Sequence, residues 1–158
     1  SKKNNYKLKK TSLFQKQLYS FIAAYLNHHS IRSKIADELN KSKLLDESLF
    51  GLLKVLCKPN FANKSSEELL EDINDQNLID TLKKCLKSEI YQLFPYSSPK
   101  YEDSQVLQEI KESCSNLKTR LLNLKKINKS LNSFFENSDQ LNWDELQKIS
   151  KELLDKRI

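Results

Sequence analysis

Glycine is almost absent from this chain of 158 residues, which contains only Gly51 and three prolines. Phosphate-binding loops, dinucleotide-binding turns and nucleophile elbows each need several glycines close together, so these enzyme sites are excluded. Hairpin-rich β folds also depend on glycine in their turns. The scarcity of glycine therefore favours a helical protein.

Cysteine and histidine are too few, and wrongly spaced, for a disulfide framework or a metal site. Cys57, Cys85 and Cys114 are odd in number, and their intervals of 28 and 29 residues match no zinc-ligand spacing. We expect all three to be buried as small hydrophobic residues, with reduced thiols that indicate an intracellular protein, nuclear or cytoplasmic. His28 and His29 are adjacent, and we predict a polar turn there without a metal role.

Other features that would define a function class are also missing. No apolar run approaches the ~18–20 residues of a membrane span and no signal peptide is recognisable, so we expect no membrane association. Methionine is absent, including an initiator, and we expect the chain to be a fragment of a longer protein. No histidine, serine and carboxylates combine into a catalytic arrangement. We therefore predict no enzymatic activity, no catalytic residues, no cofactor and no metal.

Charged residues make up 30% of the chain, and the formal net charge is +6. The first ten residues contain five lysines and no acid, so we predict a solvated basic arm over residues 1–10. A second acid-free window, residues 113–132, contains five basic residues: Lys118, Arg120, Lys125, Lys126 and Lys129. Such a face binds nucleic-acid phosphates or acidic protein segments, and an ordinary solvated helix face is the alternative interpretation.

Apolar residues recur with the 3.6-residue period of an α-helix along most of the chain. An S-x-x-Q capping box at Ser12 and an S-x-x-E box at Ser65 begin two helices, and Ser30 is expected to cap another. The segment 44–57 is apolar nearly all round, so we expect the most buried helix there. Gly51 within it costs about 1 kcal/mol relative to alanine, a cost that a close helix crossing would offset. The predicted helices cover approximately 12–26, 31–39, 44–57, 65–73, 78–94, 107–135 and 142–154.

The helix over 107–135 carries a heptad repeat, the strongest pattern in the chain. Its a and d positions are Leu107, Ile110, Cys114, Leu117, Leu121, Leu124, Asn128, Leu131 and Phe135. The repeat is typical of a parallel self-associating coiled coil, and equally of a long helix packed on the rest of its own chain. In a parallel homodimer Arg120 would face Lys125 of the second copy. That like-charge contact favours intramolecular or hetero-oligomeric packing.

The last predicted helix begins at Asn142, where an N-x-x-E signal precedes apolar residues at helical spacing. The apolar residues are Trp143, Leu146, Ile149, Leu153 and Leu154. The loop before it is only about five residues long. We therefore expect this helix to lie antiparallel to the long one. The two helices would form a C-terminal helical hairpin.

The segment 18–39, LYSFIAAYLNHHSIRSKIADEL, resembles a LisH motif, a short two-helix dimerisation element. Phe21-Ile22 and Tyr25-Leu26 match its first helix, and the end of the segment resembles the variant found in centrosomal proteins. The resemblance implies dimerisation through the first helix pair. The self-association residues predicted on this basis are Phe21, Ile22, Tyr25, Leu26, Ile31 and Ile35. The alternative is that these residues face the core.

These patterns predict an all-α fold of six or seven helices with a long C-terminal hairpin. We expect an N-terminal helical unit over 11–95, which includes the LisH-like hairpin at 12–39, then a linker over 96–103 and a heptad unit over 104–158. The predicted function is a non-catalytic protein–protein interaction module, a scaffold or subunit fragment of an intracellular assembly. It would bind another protein through an apolar groove between helices, or form a homodimer. The alternative is a helical nucleic-acid-binding domain that uses the basic face at 118–129.

Overall fold

A computed structural model of the chain describes residues 11–135, and within that range it contains helices and no strands. The prediction of an all-α fold is confirmed. The α-helices are α1 Leu13–Asn27, α2 Arg32–Ser42, α3 Glu47–Leu56, α4 Ser66–Asp72, α5 Gln76–Cys85, α6 Ser88–Leu93 and α7 Asp103–Phe135, with 3-10 turns at His29–Ile31 and Pro95–Ser97. The predicted basic arm, and the second helix of the predicted hairpin, lie outside the described residues.

Helix α1 forms the centre of the core. Leu18 and every residue from 20 to 26 are buried, because α2, α3, α5, α6 and the Pro95–Ser97 turn all contact this helix. Small residues such as Ala23 and Ala24 let those neighbours approach closely. Each fully buried Leu, Ile or Phe side chain stabilises the fold by about 1.5–3 kcal/mol, so α1 contributes much of the stability.

The prediction that the third helix is the most buried was wrong. Helix α3 leaves the Phe50 side chain 43% exposed, and only one stripe of it, which includes Leu49 and Leu53, reaches the core. No close crossing offsets the cost of Gly51, because no atom lies within 4 Å of the position a Cβ would take there. The apolar content of α3 alone overestimated its burial, since a helix at the edge of the core buries one face only.

Within residues 11–135, helix starts follow the predicted capping signals at two of three positions. The Ser12 hydroxyl accepts a hydrogen bond from the Gln15 amide, and the Ser65 box is complete, because Ser65 and Glu68 each accept from the other's backbone amide. The cap predicted at Ser30 was wrong. Ser30 lies inside the first 3-10 turn, and α2 begins without a side-chain cap.

The region predicted as one helix over 78–94 is broken in two. Helix α5 ends at Cys85 and α6 begins at Ser88, because the Lys87 backbone is extended, with φ −69° and ψ 143°. No glycine or proline marks this break in the sequence. The following segment, expected to be a linker over 96–103, begins with Tyr96 and Ser97 buried in the core.

Among residues 11–135, helix α7 packs on the core through its N-terminal half. Val106, Ile110, Cys114 and Leu117 are buried against α2 and the two 3-10 turns, and Leu121 is the last apolar residue of α7 that packs on the core of the described residues. The helix continues to residue 135, about 21 Å further at 1.5 Å per residue. We call residues 122–135 the projecting half of α7.

The expected burial of the cysteines is confirmed for Cys85 and Cys114 and was wrong for Cys57, which is exposed. Burial raises the pKa of the Cys114 thiol to about 11 and raises the pKa of the Cys85 thiol as well. Cys57 caps the C-terminus of α3, where the helix leaves the core. Although the residue is exposed, its Sγ lies 3.6 Å from the Tyr25 hydroxyl.

Candidate functional site

The residues predicted to mediate dimerisation lie in the core of the single chain. Phe21, Ile22 and Ile35 are 0% exposed, and Tyr25 and Leu26 are 3% exposed. Their partners belong to the same chain; the Phe21 ring, for example, stacks on Tyr96 with centroids 6.3 Å apart. Ile31 is partly buried against the same core. A second copy could reach these side chains only if the core opened.

Arg32 is a buried cation that fixes the C-terminus of α1. Its guanidinium donates to the carbonyl oxygens of Tyr25 (3.0 Å), Leu26 (2.9 Å) and Ala62 (2.9 Å), and it stacks over the Tyr25 ring at 5.3 Å. Burial lowers the pKa of Arg32. Because its donors are directed at backbone carbonyls that the helix end leaves without partners, the role of Arg32 is structural.

His28 and Asp103 connect the end of α1 to the start of α7. The predicted turn is present, but the His28 side chain is buried inside it. Its Nδ1 lies 2.5 Å from Asp103 Oδ1, and its Nε2 lies 2.9 Å from the carbonyl oxygen of Ser98. The Ser30 hydroxyl donates to Asp103 Oδ2 at 2.6 Å. These hydrogen bonds, from Ser30 first and then His28, lower the pKa of Asp103.

This cluster does not have the geometry of a nucleophilic triad, although it contains a serine, a histidine and an aspartate. In such a triad the imidazole accepts the proton of the serine hydroxyl. Here the Ser30 hydroxyl is directed at the carboxylate, and both ring nitrogens of His28 already have oxygen partners. Within residues 11–135 no group of three His, Cys, Asp or Glu side chains is placed to hold a metal ion.

The sequence did contain one signal for the burial of His28. Phe21, Tyr25 and His28 follow the i, i+4, i+7 spacing of a single helix face, and the other two were expected to be buried or interfacial. The adjacent His29, one residue off this face, is exposed. The partner Asp103, however, lies 75 positions along the chain, and no local pattern indicates that contact.

A shallow apolar depression lies where α2 meets α3. Its volume is about 310 Å³, and it is lined by Leu39, Asn40, Lys43, Leu45 and Phe50. The Lys54 ammonium covers the exposed Phe50 ring at 5.4 Å. No carboxylate or imidazole is among the lining side chains, so the depression offers apolar contact and little chemistry.

The predicted basic residues occupy more than one side of α7. Lys118, Lys125, Lys126 and Lys129 are exposed, and Arg120 is half-buried. At 3.6 residues per turn, Lys118, Lys125 and Lys129 fall within about 40° of one another, and we call these three the lysine row. Arg120 falls on the opposite side of the helix, so the structure does not bring all five together.

An apolar stripe runs along the projecting half of α7 on the side away from the lysine row. Leu124, Ile127 and Leu131 form it, and they fall within about 60° of one another around the helix. Ile127 is 42% exposed, and Leu122, which lies among the lysines, is 58% exposed. We call Leu124, Ile127 and Leu131 the projecting stripe. An exposed apolar stripe of this kind suits contact with the apolar face of an amphipathic helix.

Comparison with known proteins gives no further guide to function. No family model, curated protein or solved structure matches the chain. Among the helices within 11–135, none has both the length and the apolar character that crossing a membrane requires. Within the described part of the chain, the projecting half of α7 is therefore the surface on which a function can best be argued.

Proposed function

We propose that this chain is a non-catalytic protein–protein interaction module whose docking surface is the projecting half of α7. The observation that carries the proposal is the continuation of α7 for about four turns past its last core contact at Leu121. The apolar side chains there include Ile127 and Leu122, both largely exposed. The buried N-terminal half holds this surface on a rigid base, which lowers the entropic cost of binding.

The expected partner is an amphipathic helix. Its apolar face would cover the projecting stripe. Lys118, Lys125 and Lys129 lie about 100° or more around α7 from each stripe residue, so they would stay in solvent when such a helix is bound. Burial of each large apolar side chain contributes about 1.5–3 kcal/mol, whereas an exposed ion pair contributes about 0–1 kcal/mol. The stripe would therefore determine affinity, and moderate salt would leave binding largely intact.

The C-terminal helical hairpin predicted from the sequence is the finer part of this proposal. Residues 142–154 have the composition of such a partner helix, with Trp143, Leu146 and Ile149 at helical spacing and Asp144 and Glu145 beside them. In the hairpin they would lie antiparallel to α7.

The test is affinity capture with the full chain as bait, at low and at high salt. We expect a protein retained at both salt concentrations by the unchanged chain and lost with Ile127→Asp. The matched control is Thr119→Asp, which adds the same charge at an exposed position of α7 about 80° or more around the helix from each stripe residue and should retain the partner. Equal retention by both variants would contradict the assignment of this surface. Capture of nothing at either salt concentration would contradict the function.

A second candidate function is nucleic-acid binding, which the exposure and alignment of the lysine row support. Phosphate contacts through these lysines would give binding that falls steeply with salt concentration. Retention of duplex DNA or RNA at low salt should be abolished in Lys125→Glu/Lys126→Glu/Lys129→Glu. The matched control, Lys83→Glu/Lys84→Glu/Lys87→Glu, changes the net charge equally at exposed positions elsewhere. If the two triple variants lost nucleic-acid binding equally, the lysines of α7 would not be the binding surface.

A further inference from the structure

A polar cavity lies where the end of α1, the start of α2 and the segment after α3 meet, and we propose that this cavity binds a phosphate group. Its volume is about 270 Å³. Its lining comes from Tyr25, the first 3-10 turn, the first two residues of α2 and the segment 57–63, and none of the lining residues belongs to α7. The inference therefore goes beyond the proposed function and does not depend on it.

One lining residue, Arg32, is a buried cation whose charge has no anion beside it. Arg32 is 5% exposed, and among residues 11–135 no carboxylate lies within ion-pair distance of its guanidinium. Burial lowers the pKa of Arg32, because the water that would stabilise the charge is removed. A buried charge is costly unless an opposite charge accompanies it. An anion bound in the cavity would therefore stabilise the guanidinium.

Arg32 keeps donors for such an anion while it holds the end of α1. Its three hydrogen bonds to backbone carbonyls use the Nε–H, one N–H of Nη1 and one N–H of Nη2. One N–H on each terminal nitrogen therefore remains, and guanidinium N–H groups form charge-assisted hydrogen bonds with phosphate oxygens. Helix α2 also begins at Arg32 without a side-chain cap, so the positive end of its dipole lies beside the cavity and favours an anion.

The other polar side chains of the lining can donate hydrogen bonds, and none of them is a carboxylate. The Ser30 hydroxyl already donates to Asp103, which lies outside the lining. Ser33, Asn63 and His29 are exposed, so their hydroxyl, amide and imidazole groups can reach a ligand that enters from solvent. A lining with a cation, neutral donors and no acid attracts an anion.

A phosphate group fits this distribution of donors better than a carboxylate does. The donors come from three segments: Arg32 and Ser33 begin α2, His29 lies in the 3-10 turn, and Asn63 follows α3. A tetrahedral phosphate presents oxygens to all three segments, whereas the two coplanar oxygens of a carboxylate are satisfied by a guanidinium alone. Because the rim is exposed, the cavity admits free phosphate or a phosphorylated side chain of another protein, which share this group.

Titration of the full chain with inorganic phosphate, followed through amide chemical shifts in NMR spectra, tests the proposal. We expect shifts at Arg32, Ser33 and Asn63 that saturate, and weaker binding of acetate at the same ionic strength. Asn63→Asp is isosteric and places a carboxylate in the cavity, so it should weaken phosphate binding about tenfold or more. The matched control is Asn60→Asp, which adds the same charge at an exposed position of the same segment outside the lining. This control should change the dissociation constant by less than about twofold.

Urea denaturation gives an independent readout of the uncompensated charge of Arg32. The carboxylate that Asn63→Asp introduces would supply the missing anion, so in the absence of phosphate this variant should have a higher urea midpoint than Asn60→Asp. Added phosphate should raise the midpoint of the unchanged chain and leave that of Asn63→Asp nearly unchanged. Equal midpoints of the two variants without phosphate would contradict the proposal.

Shifts that increase in proportion to phosphate without saturating would overturn the proposal, as would equal loss of phosphate binding in the two variants. Acetate that binds as tightly as phosphate would overturn the choice of ligand. The blocked amino acid N-acetyl-phosphoserine amide distinguishes the two sources of the group. Tighter binding than that of inorganic phosphate supports a phosphorylated side chain, and weaker binding supports the free ion.

Discussion

At the scale of single residues, buried polar contacts fix the ends of the main helices. Arg32 satisfies carbonyls at the end of α1, and His28 and Asp103 join that end to the start of α7. The buried Tyr96 hydroxyl lies 2.5 Å from the Ser20 hydroxyl, and burial raises the pKa of Tyr96. These contacts set where α7 starts and hence where its projecting half is held.

The lowered pKa of Asp103 predicts a contribution to stability that depends on pH. Because the folded-state pKa lies below the unfolded value of ~3.9, this contribution is present above about pH 4 and is lost as the pH falls through the folded-state pKa. Asp103→Asn should therefore lower the free energy of unfolding at pH 7, and the difference from the unchanged chain should shrink in acid. The carboxylate is 47% exposed, so the difference should be about 1 kcal/mol or less.

Urea denaturation at a series of pH values would measure this effect. The control is Glu102→Gln, which removes the same charge from the neighbouring exposed residue. The assignment would be contradicted if Asp103→Asn and Glu102→Gln gave the same dependence of stability on pH.

At the scale of helices, the sequence predicted elements whose signals are local and missed those that depend on distant contacts. The Ser65 box and the period of α1 are local, and both predictions are confirmed. The break at Lys87 has no local marker. The burial of His28 depends on Asp103 and on the Pro95–Ser97 turn, which approach it only in the folded chain.

Helix α3 provides a test of backbone energetics. Gly51 lies within α3, and an added Cβ would have no neighbour within 4 Å, so alanine fits without a clash and favours the helical backbone. Gly51→Ala should stabilise the chain by about 0.5–1 kcal/mol, seen as a higher urea midpoint with an unchanged slope. A loss of stability would mean that the space beside Gly51 is filled.

At the scale of the whole molecule, α7 combines two roles in one continuous helix. Its first half completes a core centred on α1, and its second half presents an apolar stripe on one side and a lysine row on the other. The heptad repeat predicted a single long helix, and this is confirmed. The repeat has the same spacing on both sides of Leu121, so it could not show where core contact ends. That boundary is set by the length of α2, the helix against which α7 packs.

Hydrogen exchange along α7 in the full chain tests this division most directly. We predict that amides over 106–117 exchange most slowly, that protection falls beyond residue 121, and that Leu124→Asp accelerates exchange only over 122–132. Asn123→Asp should change neither region. If Leu124→Asp accelerated exchange equally over 106–117, α7 would be a single cooperative unit of the core, and the account of a separate docking half would be contradicted.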